Sequence, residues 1–139
     1  GACRPPERAE GVSGIEAGGT VLLVEDEEMV RNLAAVQLAK LGFAVLAATD
    51  GAEAVELFRQ RSNDIRFVVC DLTMPGMNGW ETLAALRAIS PDIPVILASG
   101  YSEEQVMAGQ RSDRPQACLS KPYGREQLCA AIRLALANG

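Results

Sequence analysis

The chain has 139 residues, 48% hydrophobic and 22% charged, the proportions of one folded domain with a single core and not of a disordered segment. Its 13 basic and 18 acidic side chains leave a formal charge of −5 with no run of Lys or Arg, which speaks against direct nucleic-acid binding by this segment. No apolar stretch approaches the roughly 18 residues needed to span a bilayer, and the absence of histidine excludes Ser-His-Asp and Cys-His nucleophile systems.

Residues 1–19, GACRPPERAEGVSGIEAGG, are rich in Gly, Pro and charge without periodicity and read as a linker or disordered tail. They lack the apolar core of a secretory signal. The start at Gly1 reads as a piece of a longer polypeptide, and the folded domain is expected over residues 20–139. Four scattered cysteines form no CxxC, and Cys70, Cys118 and Cys129 sit inside apolar patterns. That usage fits buried thiols in a reducing cytoplasm.

From Thr20 short apolar runs alternate five times with amphipathic stretches, the pattern of βα units around a parallel sheet. Strands are expected at Val21–Val24, Ala44–Ala47, Phe67–Cys70, Val95–Ala98 and Ala117–Leu119. The first helix sets Val30, Leu33, Ala34, Leu38 and Leu41 at helical spacing and stops at Gly42. The second opens on Asp50 with Glu53 three residues on, a capping-box arrangement, and carries Ala54, Val55, Leu57 and Phe58. Asn78 and Glu81 repeat the device for the third, which carries Leu83, Leu86 and Ile89 and ends before Pro91. A fourth is expected from Ser102 with Gln105 as capping partner, its end left open by Gly109 and GQRSDRPQ. The fifth runs from about Gly124 through Leu128, Ala131, Ile132, Ala135 and Leu136 almost to Gly139.

A (βα)5 chain with right-handed crossovers folds most economically as a flavodoxin-like α/β domain. That is a doubly wound parallel sheet of order 2-1-3-4-5, whose ligands bind at the carboxyl ends of strands 1 and 3. At that edge the first strand delivers Glu25, Asp26, Glu27 and Glu28. Glu27 and Glu28 fit the first turn of the next helix, where negative charge complements the dipole. Glu25 and Asp26 lie where a ligand would sit, and Asp71 follows the neighbouring third strand. Three carboxylates gathered there repel one another unless a cation holds them. Oxygen ligands few in number favour Mg²⁺, with Mn²⁺ as a substitute.

Ser99 and Gly100 follow the fourth strand, and Lys121 and Pro122 the fifth. Singly, a Ser-Gly is a turn and a lone Lys a solvated charge. Together with three acids on one rim they compose a phosphoryl-transfer site. Its nucleophile would be Asp71, its metal ligands Asp26 directly, Glu25 through water and the Thr73 carbonyl, and Lys121 and Ser99 would donate to the phosphoryl oxygens.

VLLVEDEE, VVCDLTMPGMNGW, PVILASGY and LSKPY, in that order over about Thr20 to Asn138, resemble the response-regulator receiver domains of two-component signalling. The resemblance implies that Asp71 takes a phosphoryl group from a phosphohistidine with Mg²⁺, that Ser99 and Lys121 contact the phosphate, and that the domain promotes its own phosphorylation and dephosphorylation. It also implies a cis peptide before Pro122. Without histidine the donor must be another domain or protein, a histidine kinase or a histidine phosphotransfer domain. The linker-like start, the end at Gly139 and the SGY after the fourth strand resemble the receiver module of a hybrid sensor histidine kinase; a free-standing regulator is the other context.

Two positions depart from the family pattern. The first acid is Glu25 where Asp is usual, and Cys118 stands where an aromatic residue usually swings inward upon phosphorylation. Tyr101 is a surface residue or a substitute for that ring. A dehalogenase-type phosphatase would need a second acid where Thr73 stands, and a flavodoxin a phosphate loop where Glu25 to Glu28 would repel the flavin. A receiver-like binding module that is not phosphorylated is the remaining rival.

Overall fold

A computed structural model describes residues 18–74, 76–100 and 114–138. The strands are β1 (Thr20–Val24), β2 (Ala44–Ala48), β3 (Ile65–Asp71), β4 (Val95–Ser99) and β5 (Ala117–Ser120). The helices are α1 (Glu28–Lys40), α2 (Gly51–Arg61), α3 (Gly79–Ile89) and α4 (Arg125–Asn138). All strand pairs are parallel and the order is β2-β1-β3-β4-β5, the flavodoxin-like sheet expected from the sequence. The helix expected from Ser102, and Tyr101 with it, lies outside the described residues, as does most of the 1–19 tail. Gly18 and Gly19, counted with that tail, are hydrogen-bonded to the domain through Gly42, Ala44 and Arg66.

Period-two alternation along the strands builds two separate cores. Val21, Leu23, Phe67, Val69, Ile96 and Ala98 face one side, where α1 and α4 supply Ala34, Leu38, Leu128 and Ile132. Leu22, Val24, Val68, Cys70, Val95 and Leu97 face the other, covered by Ala54, Phe58, Leu83 and Leu86 from α2 and α3. Each fully buried large side chain contributes about 1.5–3 kcal/mol, and Phe67 adds an edge-to-face contact with Phe43, centroids 5.2 Å apart.

Helix α1 departs from its expected face. Ala34 and Leu38 are buried, but Leu33 is 66% exposed, with Met29 and Val36 beside it on the outer side. The helix carries a wider apolar stripe than the sheet can cover, and the sheet takes the 34/38/41 side. Gly42 ends it at φ 102°, a left-handed conformation that suits glycine.

The expected capping box of α3 is complete. Glu81 N–H donates to Asn78 Oδ1 at 2.9 Å and Asn78 N–H to Glu81 Oε1 at 2.8 Å. In α2 only half of it forms: Glu53 N–H donates to Asp50 Oδ1, while Glu53 Oε1 accepts from Thr49 N–H and hydroxyl instead of Asp50.

Candidate functional site

Parallel strands end on a common edge, and the register decides what meets there. Val24 pairs with Cys70, so Glu25 and Asp71, the next residue on each chain, stand side by side on adjacent strands. Asp71 pairs with Ala98 and Ser99 with Ser120, which puts Ser99 and Lys121 one step further along the same rim. Leu72 N–H donates to Ala98 O at 2.8 Å and Lys121 N–H to Ser99 O at 2.7 Å, tying the strand ends together.

Lys121 Nζ donates to both Asp71 Oδ1 and Glu25 Oε1, each at 3.0 Å. Asp71 is only 5% exposed, and that burial raises its carboxyl from 3.8 to about 6 despite the hydrogen bond from Lys121, with the neighbouring charge of Glu25 adding to the rise. Burial works against the charged Lys121, but its bonds to Asp71 and Glu25 outweigh it and hold the ammonium above its ordinary value.

Glu25 is held at three points. Beside the Lys121 contact, its Oε2 accepts from Glu27 N–H at 3.2 Å, and its backbone carbonyl accepts from Arg31 Nη1 at 2.9 Å. Asp26 is exposed, yet one carboxylate oxygen from each of Glu25, Asp26 and Asp71 lies within 4.8 Å of the others. Three carboxylates against one ammonium leave a formal −2 in an all-oxygen donor set, which fits one hard divalent cation.

The structure therefore brings together Glu25, Asp26, Asp71 and Lys121 by direct proximity, and sets the buried Ser99 on the same rim by register. Thr73 lies in the loop two residues past Asp71 with its side chain exposed. Glu27 is the N-cap of α1 and Glu28 its first residue, as the dipole argument anticipates. Among the described residues, none stands within 4 Å of where a Cβ on Gly100 would be. The Lys121–Pro122 peptide is cis. Cys118 is half-buried on β5, opposite Leu97, where it packs on the α2/α3 core as a small thiol.

Sequence reasoning missed two contributors. Arg31 fixes the Glu25 backbone from the first turn of the following helix, with no spacing rule to announce it. Gly79 is the second: a Cβ there would stand 2.7 Å from Leu72 Cα and 2.9 Å from Asp71 O, so glycine lets the start of α3 press against the end of β3. Its N–H donates to Leu72 O at 2.8 Å. The signal was a glycine just inside a capped helix, which reads equally as a turn residue.

Residues 21–133 match the response regulator receiver domain family. The sensor kinase CckA of Brucella abortus is 34% identical over 127 residues, 91% of this chain but 13% of that protein, so the chain spans a small part of that relative. Among solved structures, the receiver domain of the hybrid histidine kinase CckA superposes with a TM-score of 0.71 at 31% identity, covering 85% of this chain and 99% of that one. The response regulator TrrA of Thermotoga maritima, solved in complex with Mg²⁺-BeF, gives 0.74 at 26% identity, covering 83% and 96%.

Proposed function

The chain belongs to the response regulator receiver domain family of two-component signalling, and from that membership we propose that Asp71 accepts a phosphoryl group from a phosphohistidine. The single observation that carries this reading is the buried Asp71 carboxylate, held 3.0 Å from Lys121 Nζ and clustered with Glu25 and Asp26. A carboxylate oxygen of Asp71 attacks phosphorus, the P–N bond breaks, and the imidazole nitrogen leaves with its electron pair, free to take a proton from water. The product is an acyl phosphate on Asp71.

Mg²⁺, or Mn²⁺ in its place, would be held by Asp26 and Asp71, by Glu25 through water and by the Thr73 carbonyl. Bound there it neutralises charge on the transferring group. Lys121 offers its ammonium to a phosphoryl oxygen, and Ser99 offers a hydroxyl donor from the end of β4. The site's contribution is placement and neutralisation, as suits a loose transition state.

The donor is a histidine kinase or a histidine phosphotransfer domain, since this chain has no histidine. On the rim beside Asp71, Val30, Leu33 and Tyr123 line an apolar groove next to Lys121 that a donor can use. That groove offers apolar contact area beside the reacting atoms. Similarity to the sensor kinase CckA and to the receiver domain of the hybrid histidine kinase CckA supports reading the chain as the receiver module of a hybrid sensor histidine kinase; we assign residues 20–139 to that module and 1–19 to a linker, and place it in the cytoplasm. No described helix is long and apolar enough to cross a membrane.

Incubation with Mg²⁺ and a small acyl phosphate, followed by intact mass measurement, tests the reading. One added phosphoryl group is expected, absent in Asp71→Asn and in the presence of a chelator. An unchanged mass with small donors and with candidate kinases would leave the chain a protein-binding module.

A further inference from the structure

Glu25 is a buried carboxylate whose two oxygens are both engaged. Oε1 accepts from Lys121 Nζ at 3.0 Å and Oε2 from Glu27 N–H at 3.2 Å, while Arg31 pins the backbone beneath. A cation resting against Asp26 and Asp71 gains Oε1 of Glu25 only by exchanging with the ammonium or sharing that oxygen with it, and gains Oε2 only beside the Glu27 N–H. We propose that Lys121 and the divalent cation compete for Glu25, so that Glu25 is a positioning residue that keeps Lys121 as an internal counter-ion and thereby lowers the site's affinity for metal. This deepens the phosphoacceptor reading and rests on it.

The length of the side chain makes the competition specific to glutamate. Removing one methylene draws the carboxylate back by about 1.5 Å, one C–C bond, which takes it from 3.0 Å to beyond hydrogen-bond reach of Lys121 Nζ. With Glu25→Asp the lysine keeps only Asp71, and the shortened carboxylate answers to the cation alone. Lys121 then still repels a cation through its charge and still engages Asp71 Oδ1, but no longer occupies an oxygen of residue 25. Field and occupancy are separable for that reason.

A double-mutant cycle on metal affinity separates them. Mg²⁺, and Mn²⁺ in parallel, are titrated calorimetrically into the wild type, Glu25→Asp, Lys121→Met and the double variant, each first shown to unfold cooperatively. Lys121→Gln replaces the methionine variant if that one does not fold. Removing the lysine is expected to tighten Mg²⁺ binding about ten-fold or more in the wild-type background and by less than about three-fold beside Glu25→Asp, a coupling typical of groups that share a partner. Glu25→Asp alone should tighten binding as well. Equal factors in the two backgrounds would overturn the competition while leaving the cation site standing. Absence of binding in all four proteins would overturn the cation site itself, and the competition with it.

Discussion

Lys121 Nζ reaches Asp71 Oδ1 at 3.0 Å across the end of β4, joining two strands that are not neighbours in the sheet. The bridge works because β4 stops with Ser99, whose carbonyl accepts the Lys121 N–H and aims the following side chain back over the strand end. Asp71 is thereby a charged acid in a buried position with one ammonium for company. Such a group costs the fold something at neutral pH.

The pH dependence of stability follows from the sign of that cost. Asp71 rises from 3.8 to about 6 in the native state because burial disfavours its anion. Between those values the native state binds more protons than the unfolded one, so stability falls as pH rises through this window. Asp71→Asn abolishes the effect. In metal-free buffer at pH 7.5 the variant should be more stable than wild type by about 1–3 kcal/mol, the upper end being about two pKa units, with the gap closing towards pH 4. Urea unfolding across that range checks it, and a gap that stays constant with pH would refute it.

Gly79→Ala is expected to cost about 1–3 kcal/mol, as overpacking does, because its Cβ meets backbone atoms of Asp71 and Leu72 that cannot turn aside. Displacing the end of β3 should also slow phosphorylation by acyl phosphate. Gly76→Ala is the control. It has φ 75° but open space, so strain of about 1–2 kcal/mol should leave the phosphorylation rate unchanged.

Asn78→Ala removes one side of the α3 capping box and leaves Glu81 N–H without its side-chain acceptor. The expected loss is about 1 kcal/mol in chemical denaturation. Glu81→Gln, which keeps an acceptor for Asn78 N–H, should cost less.

Phe67→Ala empties the centre of the α1/α4 core, where the ring is fully buried against Phe43. A loss of about 3–5 kcal/mol is expected. Thermal unfolding of the variant should start well below that of wild type, whereas Met29→Ala, on the exposed side of α1, should leave the midpoint within experimental scatter.

Much of this architecture is legible in the amino-acid sequence. Strands covered on both faces must be apolar throughout, which is why runs such as Val68–Cys70 and Val95–Ala98 mark them. Order and handedness then leave few topologies, and the residue after each strand falls on one rim. Glu25, Asp26, Asp71, Ser99 and Lys121 could therefore be grouped from spacing and motif alone.

Which residues share the rim follows from the order of amino acids alone, because local pattern and chain-crossover rules are properties of neighbours along the chain. Packing in three dimensions divides Lys121 between Asp71 and Glu25, sets Arg31 on the carbonyl beneath, presses Gly79 against β3 and turns Leu33 outward. Those relations depend on register and side-chain direction between residues as far as 96 positions apart, and packing settles such distances to within an ångström where sequence periodicity carries no information about them.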